Sequence, residues 1–351
     1  MRKNLSICLV VALVLILVAS VVSAGNIRPA IENRAPIRGD EPMPDVQYYP
    51  SGPVLITQAV MIGETQYDYQ QNGSTGNRVF LDSDGGKHFS WMKGTNDNGT
   101  RHVFYNYLDA DDNTQWPNTG TRVSENNLSG YTTISALASN QAVVAYHHSN
   151  EDELVTAIDQ VAGFAIFDYF FPPNNIGVEP GFWPFVTVDR SDNIHVVMSE
   201  AQLAGDAPQV IGYTMSTNGG IDWTREVRVD TVLMIAPLTV SSPVSDKVAI
   251  AYTHQVSFEE WSIDDLYYIE SEDGLTWDWE AGKINVTEYG QGGDSLWIHH
   301  WCDIDAVYDY NDNLHIIWSA QYVGPEFRYF PMYLYHFDTG SETITEMGLS
   351  D

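Results

Sequence analysis

An internal repeat of roughly 54 residues constrains the fold of this chain more than any other feature. Three segments place an Asp six residues before a His, with a Gly- or Asn-containing turn between two β-rich runs: Asp82/His88, Asp189/His195 and Asp309/His315. Two weaker copies lead into Val143 and Ala249. The equivalent positions 88, 143, 195, 249 and 315 are separated by 55, 52, 54 and 66 residues. This spacing predicts a series of β-hairpins.

A second hairpin follows the first in several repeats, and its turn carries a recognisable motif. Ser216-Thr217-Asn218-Gly219-Gly220-Ile221-Asp222-Trp223 and Ser271-Glu272-Asp273-Gly274-Leu275-Thr276-Trp277 are the clearest copies, and Asp109–Trp116 is a looser one. In such a turn an acidic or amide side chain caps loop amides, Gly takes a positive φ and Trp buries against the neighbouring blade. These turns resemble the Asp box of the bacterial neuraminidase repeat, which implies a sialidase-like β-propeller.

The two hairpins per repeat predict an all-β fold, a β-propeller of five counted repeats with four-stranded antiparallel blades. Residues 54–62 and 65–69 supply further strand-forming sequence, so five and six blades both remain open. A β-sandwich or a β-helix is the alternative fold.

The N-terminus has the pattern of a secretory signal. Arg2 and Lys3 precede an uncharged apolar run, which ends in Val22-Ser23-Ala24. We therefore expect a signal peptide at 1–24, an extended Pro-containing leader at 25–50 and one propeller domain at 51–351. The expected location is secreted, periplasmic or at the cell surface. Retention of the apolar run as a membrane anchor is the alternative.

The charge of the chain is strongly negative and limits its partners. The formal net charge is −31, and it becomes −33 without Arg2 and Lys3. Such a surface repels phosphate backbones and anionic lipid, which argues against binding to nucleic acid or to a membrane surface. A glycan or an extracellular protein is the expected partner.

The repeat register also predicts where a ligand binds. The Asp-box turns share one face of the propeller with the Asp-x5-His turns, so ligand-binding loops belong on the opposite face, around the central channel. The loop at 280–302 accounts for the long 66-residue step and lies on that face. The candidates read from these loops are Arg78, His147, His148, Trp183, Glu200, His254, Glu259, Trp297, His299, His300, Trp301 and Asp303.

Structural explanations compete with several of these assignments. The three Asp/His pairs recur within the repeat, which favours a structural hydrogen bond across the hairpin. His147-His148 and His299-His300 could ligate a transition metal with Glu200 or Asp303, but neighbouring strand residues point to opposite sides. The acidic clusters 109–112 and 259–265 could hold calcium, although the spacing of a twelve-residue calcium loop is absent. We therefore expect no required cofactor, with calcium or a transition metal as the alternative.

Two functions follow from this map. A non-catalytic module that binds a glycan or a protein on its loop face is favoured. The alternative is a glycoside hydrolase or a metal-assisted hydrolase, for which Glu200 and Glu259 would be the paired carboxylates. An active sialidase is disfavoured, because the Phe-Arg-Ile-Pro motif of that family is absent and Phe327-Arg328-Tyr329 lies at the opposite end of the chain. No catalytic residue is carried over from the family.

Overall fold

The computed structural model describes residues 59–67, 70, 74–94, 100–201, 208–233, 237–255, 264–287, 297–324, 327–328 and 332–350. These residues form strands and turns arranged in five antiparallel sheets. No helix capable of crossing a membrane occurs in these ranges. The predicted signal peptide and leader lie outside the described residues.

Each sheet is one blade, built in chain order. Blade 1 contains β1 (Val79–Leu81), β2 (Lys87–Gly94), β3 (Arg101–Leu108) and β4 (Thr121–Arg122). Blade 2 contains β5 (Ser129–Ala136), β6 (Ala142–His148), β7 (Glu153–Asp159) and β8 (Phe167–Phe170). Blade 3 contains β9 (Gly181–Val188), β10 (Ile194–Glu200), β11 (Gln209–Ser216) and β12 (Val227–Val232). Blade 4 contains β13 (Leu238–Ser241), β14 (Val248–Gln255), β15 (Asp264–Ser271) and β16 (Lys283–Asn285). Blade 5 contains β17 (Trp297–Tyr308), β18 (Leu314–Gly324), β20 (Met332–Asp338) and β21 (Thr343–Ser350), with β19 (Phe327–Arg328) paired to β18.

The predicted all-β propeller of four-stranded blades is confirmed, and so is the repeat register. The five equivalent positions pair with the first strand of their blade at the same place, as Phe80↔His88, Ser135↔Val143, Thr187↔His195, Val240↔Ala249 and Val307↔His315. The first turn of blade 4, between β13 and β14, is one residue longer than the first turns of the other blades.

The hydrophobic core lies between blades. One cluster joins blades 1 and 2 around Ile134 and Tyr146, and a second joins blades 2 and 3 around Ile194 and Met198. A third, which includes Trp318, joins blades 3, 4 and 5. Consecutive sheets from blade 1 to blade 5 therefore bury apolar side chains against one another, as stacked β-layers require.

The Asp/His pairs of blades 1 and 3 are structural, as the sequence predicts. Asp189 Oδ1 accepts hydrogen bonds from the backbone N–H groups of Ser191 and Asn193, each at 2.9 Å. Its Oδ2 lies 3.2 Å from Nε2 of His195, whose Nδ1 contacts the Tyr213 hydroxyl at 2.8 Å. Blade 1 repeats this arrangement with Asp82, His88 and Tyr105. The carboxylate thus closes the turn and orients a buried histidine.

The turns that resemble Asp boxes have the geometry expected of them. Asp273 accepts hydrogen bonds from the backbone of Leu275 and Thr276, and Gly274 has a φ of 68°. Trp277 then packs 5.2 Å from the Tyr213 ring of the preceding blade. These turns lie between the third and fourth strands, at the same end of the propeller as the Asp-x5-His turns.

The segment before blade 1 crosses the centre of the propeller. Thr75 N–H donates to the Ile304 carbonyl of blade 5 at 2.9 Å. A Cβ atom on Gly76, whose φ is 37°, would lie 2.5 Å from Phe185 of blade 3 and 2.8 Å from Thr133 of blade 2. Ser74 is fully buried. Residues 74–77 therefore lie between the inner strands of blades 2, 3 and 5.

Candidate functional site

The inner strands of blades 2 and 3 carry the same irregularity near the channel mouth. The pairing register of β5 with β6 shifts between Gly130 and Thr133. The register of β9 with β10 shifts at the residues of β9 that lie opposite Met198. At these bulges Tyr131 has a φ of 49° and Trp183 a φ of 51°. Both residues stand six positions before the residue that opens the first turn of their blade, and Gly76 occupies that position in blade 1.

A large aromatic side chain is costly at such a position. The left-handed region suits Gly, and a bulky residue held there costs about 1–3 kcal/mol. Gly76 shows that the equivalent repeat position of blade 1 is occupied by Gly at a positive φ. Because bulges often redirect side chains beside functional sites, the aromatic rings of Tyr131 and Trp183 mark the channel mouth as a candidate site.

These two rings surround His147, which lies at the end of β6. Its imidazole stacks on Tyr131 at 5.6 Å and contacts Phe182 at 4.9 Å, measured between ring centroids. Trp183 meets the same imidazole edge-on at 6.3 Å. The imidazole is thus enclosed by aromatic rings from the first strands of blades 2 and 3.

Arg101 and Tyr67 complete this group on the side of blade 1. The Arg101 guanidinium lies over the Tyr67 and Tyr131 rings, 5.3 and 5.1 Å from their centroids. It donates to the Tyr67 hydroxyl at 3.2 Å and to the Ser129 carbonyl at 3.1 Å. The Tyr67 and Tyr131 hydroxyls are 3.1 Å apart. We call the set Tyr67, Arg101, Tyr131, His147, Phe182 and Trp183 the His147 cluster.

The environment of His147 keeps its imidazole neutral. Burial lowers the pKa of His147 to about 3, and the positive charge of Arg101 adds to the effect. Its Nδ1 accepts a long hydrogen bond of 3.4 Å from the Trp183 backbone N–H, which leaves the proton on Nε2. The cluster therefore combines one cation, a neutral imidazole and four aromatic rings.

His148 points away from this cluster, as expected of an adjacent strand residue. Its Nδ1 lies 2.7 Å from the Ser129 hydroxyl, and its ring packs on Tyr146 at 5.3 Å. Burial lowers its pKa as well. The two histidines consequently do not face a shared metal ion.

Arg78 anchors the segment that leads into blade 1. Its guanidinium donates to the Gln70 carbonyl at 2.6 Å, and the Gln70 amide in turn pairs with the Met92 backbone through both of its polar atoms. Burial lowers the pKa of Arg78 to about 10. This arginine therefore holds the incoming chain against blade 1.

Glu200 has a structural environment. The carboxylate is buried, and its Oε1 accepts hydrogen bonds from the backbone of Val178 and Glu179 at 2.5 and 2.9 Å. Its Oε2 accepts one from Val210 N–H at 2.9 Å. Both oxygens thus fasten the loop before β9. Glu259, its predicted partner in a hydrolase, lies outside the described residues.

His254 belongs to a separate polar group between blades 3 and 4. Its Nδ1 lies 3.4 Å from Asp230 Oδ2, which also accepts from the Tyr252 hydroxyl at 2.8 Å and lies 3.3 Å from Lys283 Nζ. Burial opposes ionisation of Asp230, but hydrogen bonds from His254 and Tyr252 outweigh it and lower the pKa of the carboxyl. This arrangement is an ion-pair network between the two blades.

The remaining candidates lie on one strand of blade 5. Trp297, His299, His300, Trp301 and Asp303 belong to β17, of which the backbone alone is described at 297–303. The first four were expected in a loop, whereas the structure pairs His299 with Gln321 and His300 with Ala320. Pairing shifts between His300 and Ile304, so blade 5 carries a bulge in the same part of its inner strand.

Of the predicted residues whose side chains are described, the structure brings His147 and Trp183 together. Sequence reasoning missed Tyr131, although its position six residues before the first turn matches that of Trp183. It also missed Tyr67 and Arg101, which reach the cluster through tertiary contacts that no sequence spacing encodes.

Comparison with known proteins supports the fold. No protein-family model matches the chain, and no curated protein matches it. Among solved structures, the polysaccharide lyase Uly1 aligns with a TM-score of 0.50 and 9% identity over 78% of this chain and 72% of that chain. A protein of unknown function from Dyadobacter fermentans aligns with a TM-score of 0.50 and 11% identity over 80% and 85%. The microbial sialidase Hz136 gives a TM-score of 0.48 at 8% identity, over 78% of this chain and 58% of that one. The first two alignments support the β-propeller fold of this chain.

Proposed function

We propose that this chain is an exported β-propeller that binds a glycan at the His147 cluster without cleaving it. The observation that carries the proposal is the pair of aromatic residues, Tyr131 and Trp183, held at positive φ around one buried imidazole. Aromatic rings present flat apolar faces, and carbohydrate rings offer C–H faces that pack on them.

The polar groups of the cluster also favour binding. Each nitrogen of the Arg101 guanidinium donates to a protein oxygen, on Ser129, Tyr67 or Leu128. Arg101 therefore holds the tyrosines in position, and each of its three nitrogens already has a partner within the protein. Because the protein is strongly acidic overall, a neutral glycan is the ligand class that this surface favours.

The test is affinity electrophoresis of the purified protein through gels that contain neutral or uronate-containing polysaccharides. We expect retardation by a neutral polysaccharide, and its loss in Trp183→Gly and in Tyr131→Gly. Glycine suits the backbone at both positions, so these variants remove the ring and relieve backbone strain together.

Tyr310→Gly is the matched control, because Tyr310 is 85% exposed in the first turn of blade 5, at the opposite end of the propeller. Its mobility should remain that of the wild type. Unaltered retardation of both cluster variants, or the absence of retardation by every polysaccharide, would refute the proposal.

Catalysis is the second candidate, and the Nε2–H of the neutral His147 imidazole is the observation that favours it, since such a donor can stabilise charge that develops on a substrate oxygen. Incubation with the same polysaccharides, followed by assays for new reducing ends and for unsaturated sugar products, tests this role. Product formation that is lost in His147→Phe would replace the binding proposal with an enzymatic one.

A further inference from the structure

Blade 5 presents one face that the other blades bury. In blades 1 and 3 the face that carries the repeat histidine packs against the following blade, so His88 and His195 are fully buried. On blade 5 the corresponding face leaves Val307 61% and Ile317 41% exposed. His315 accordingly keeps 28% of its side chain exposed.

The partners of the repeat histidine also differ on this blade. In blades 1 and 3 its Nδ1 contacts a tyrosine hydroxyl, that of Tyr105 or Tyr213, at 2.8 Å. The equivalent position in blade 5 is His336, whose Nε2 lies 2.8 Å from Nδ1 of His315. The residue paired directly across from the histidine is Tyr107 in blade 1 and Met215 in blade 3, but it is Asp338 in blade 5.

These two replacements assemble a set of metal-ligand atoms. His315, His336 and Asp338 each offer one ligand atom, and the three atoms lie within 4.8 Å of one another. In a tetrahedral zinc site with Zn–N bonds of about 2.0–2.1 Å, two ligand nitrogens are separated by about 3.3 Å. The histidine nitrogens need to part by only a few tenths of an ångström to accept an ion between them.

The surroundings support these three groups as ligands. Asp309 Oδ2 lies 3.3 Å from Nε2 of His315, which fixes the tautomer that directs the Nδ1 lone pair toward His336. Ser341 donates to both carboxylate oxygens of Asp338, at 2.7 and 2.6 Å. Carboxylates that orient ligating histidines and donors that hold ligating carboxylates are typical of protein zinc sites.

We propose that His315, His336 and Asp338 form a site for a divalent transition metal such as Zn²⁺ on the exposed face of blade 5. Two imidazoles and one carboxylate suit zinc and its neighbours in the first transition series, whereas calcium and magnesium prefer an all-oxygen shell. Three protein ligands leave a fourth tetrahedral position for water or another small ligand.

The test is equilibrium dialysis of metal-stripped, tag-free protein against Zn²⁺, with the bound metal measured by mass spectrometry. We expect one zinc per chain that is insensitive to excess Ca²⁺, and at least a tenfold weaker affinity in His336→Tyr and in Asp338→Met. Tyr is the residue of blades 1 and 3 at the position of His336, and Met is the residue of blade 3 at the position of Asp338, so the variants should retain the hairpin. Zinc should also raise the melting temperature of the wild type, with a smaller rise in the variants.

His102→Tyr, a change at a half-buried histidine of blade 1, is the control and should bind zinc like the wild type. Equal zinc binding by wild type and His336→Tyr would overturn the proposal. So would loss of the zinc in His147→Phe with retention in His336→Tyr, because the ion would then belong to the channel mouth.

Discussion

At the scale of single residues, His147 shows how burial sets the chemistry of the candidate site. Its imidazole is enclosed by Tyr131, Phe182 and Trp183, and Arg101 lies over the Tyr131 ring. A charged imidazolium would lose its hydration there and be repelled by the guanidinium. The side chain therefore acts as a flat polar ring with one N–H donor.

This burial predicts a pH-dependent stability. The pKa of His147 falls from 6.5 to about 3 on folding, so between these values the unfolded chain binds a proton that the folded chain does not. The free energy of unfolding should thus fall as the pH drops from about 6.5 toward 3, by at most about 1.4 kcal/mol per pH unit from this group.

Urea unfolding of the wild type and of His147→Phe at several pH values isolates the effect, since His88, His102 and His148 remain in both proteins. The variant should lose less stability on acidification. Parallel plots of unfolding free energy against pH for the two proteins would show that folding does not lower the pKa of His147.

At the scale of the hairpin, the buried Asp–His–Tyr arrangement joins three elements of a blade. In blade 3, Asp189 closes the first turn, His195 lies on β10 and Tyr213 lies on β11. All three side chains are buried, so each depends on the others for its hydrogen bonds. The equivalent group of blade 5 is partly exposed to water, which can replace a lost partner.

The two blades should therefore respond differently to the same substitution. His195→Phe removes the imidazole partner of the buried Tyr213 hydroxyl and one of the two side-chain partners of Asp189 Oδ2, which keeps its hydrogen bond from Asn193. We expect a loss of about 1–3 kcal/mol of unfolding free energy. His315→Phe should cost less than about 1 kcal/mol. Chemical denaturation of both variants measures the difference, and equal losses would show that burial of the group does not decide its energetic role.

The hairpins were predictable because their signals are local. Asp82, Asp189 and Asp309 each bond amides two and four residues later in the same turn, so the pattern appears as a fixed spacing in the sequence. The role of Glu200 was not predictable, because its partners Val178 and Val210 depend on how the loop before β9 wraps. The His147 cluster combines both cases: the bulge position recurs in the repeat, whereas Tyr67 and Arg101 arrive from the side of blade 1 through tertiary packing.

At the scale of the whole molecule, residues 74–77 connect blades that are distant in sequence. The Thr75 N–H reaches blade 5, and Gly76 lies against Phe185 of blade 3. This segment lies between the inner strands of blades 2, 3 and 5. A side chain at position 76 would therefore disturb the packing of several blades at once.

We expect Gly76→Ala to lower the free energy of unfolding by about 2–4 kcal/mol, because it adds a clash with Phe185 to the cost of a positive φ. Gly219→Ala is the matched control, since Gly219 has a φ of 68° and a Cβ atom added there would meet open space. It should cost only about 1 kcal/mol. Thermal and urea unfolding test both, and equal costs would contradict the central placement of residues 74–77.

The most direct test of glycan binding at the channel mouth is isothermal titration calorimetry with oligosaccharides of the polysaccharide that retards the wild type. We predict one site per chain, with an affinity at least tenfold weaker in the Tyr131→Gly/Trp183→Gly double variant and unchanged in Tyr310→Gly. Far-ultraviolet circular dichroism should show the same β-sheet content in all three proteins. Wild-type affinity in the folded double variant would show that the aromatic residues at the channel mouth do not bind the glycan.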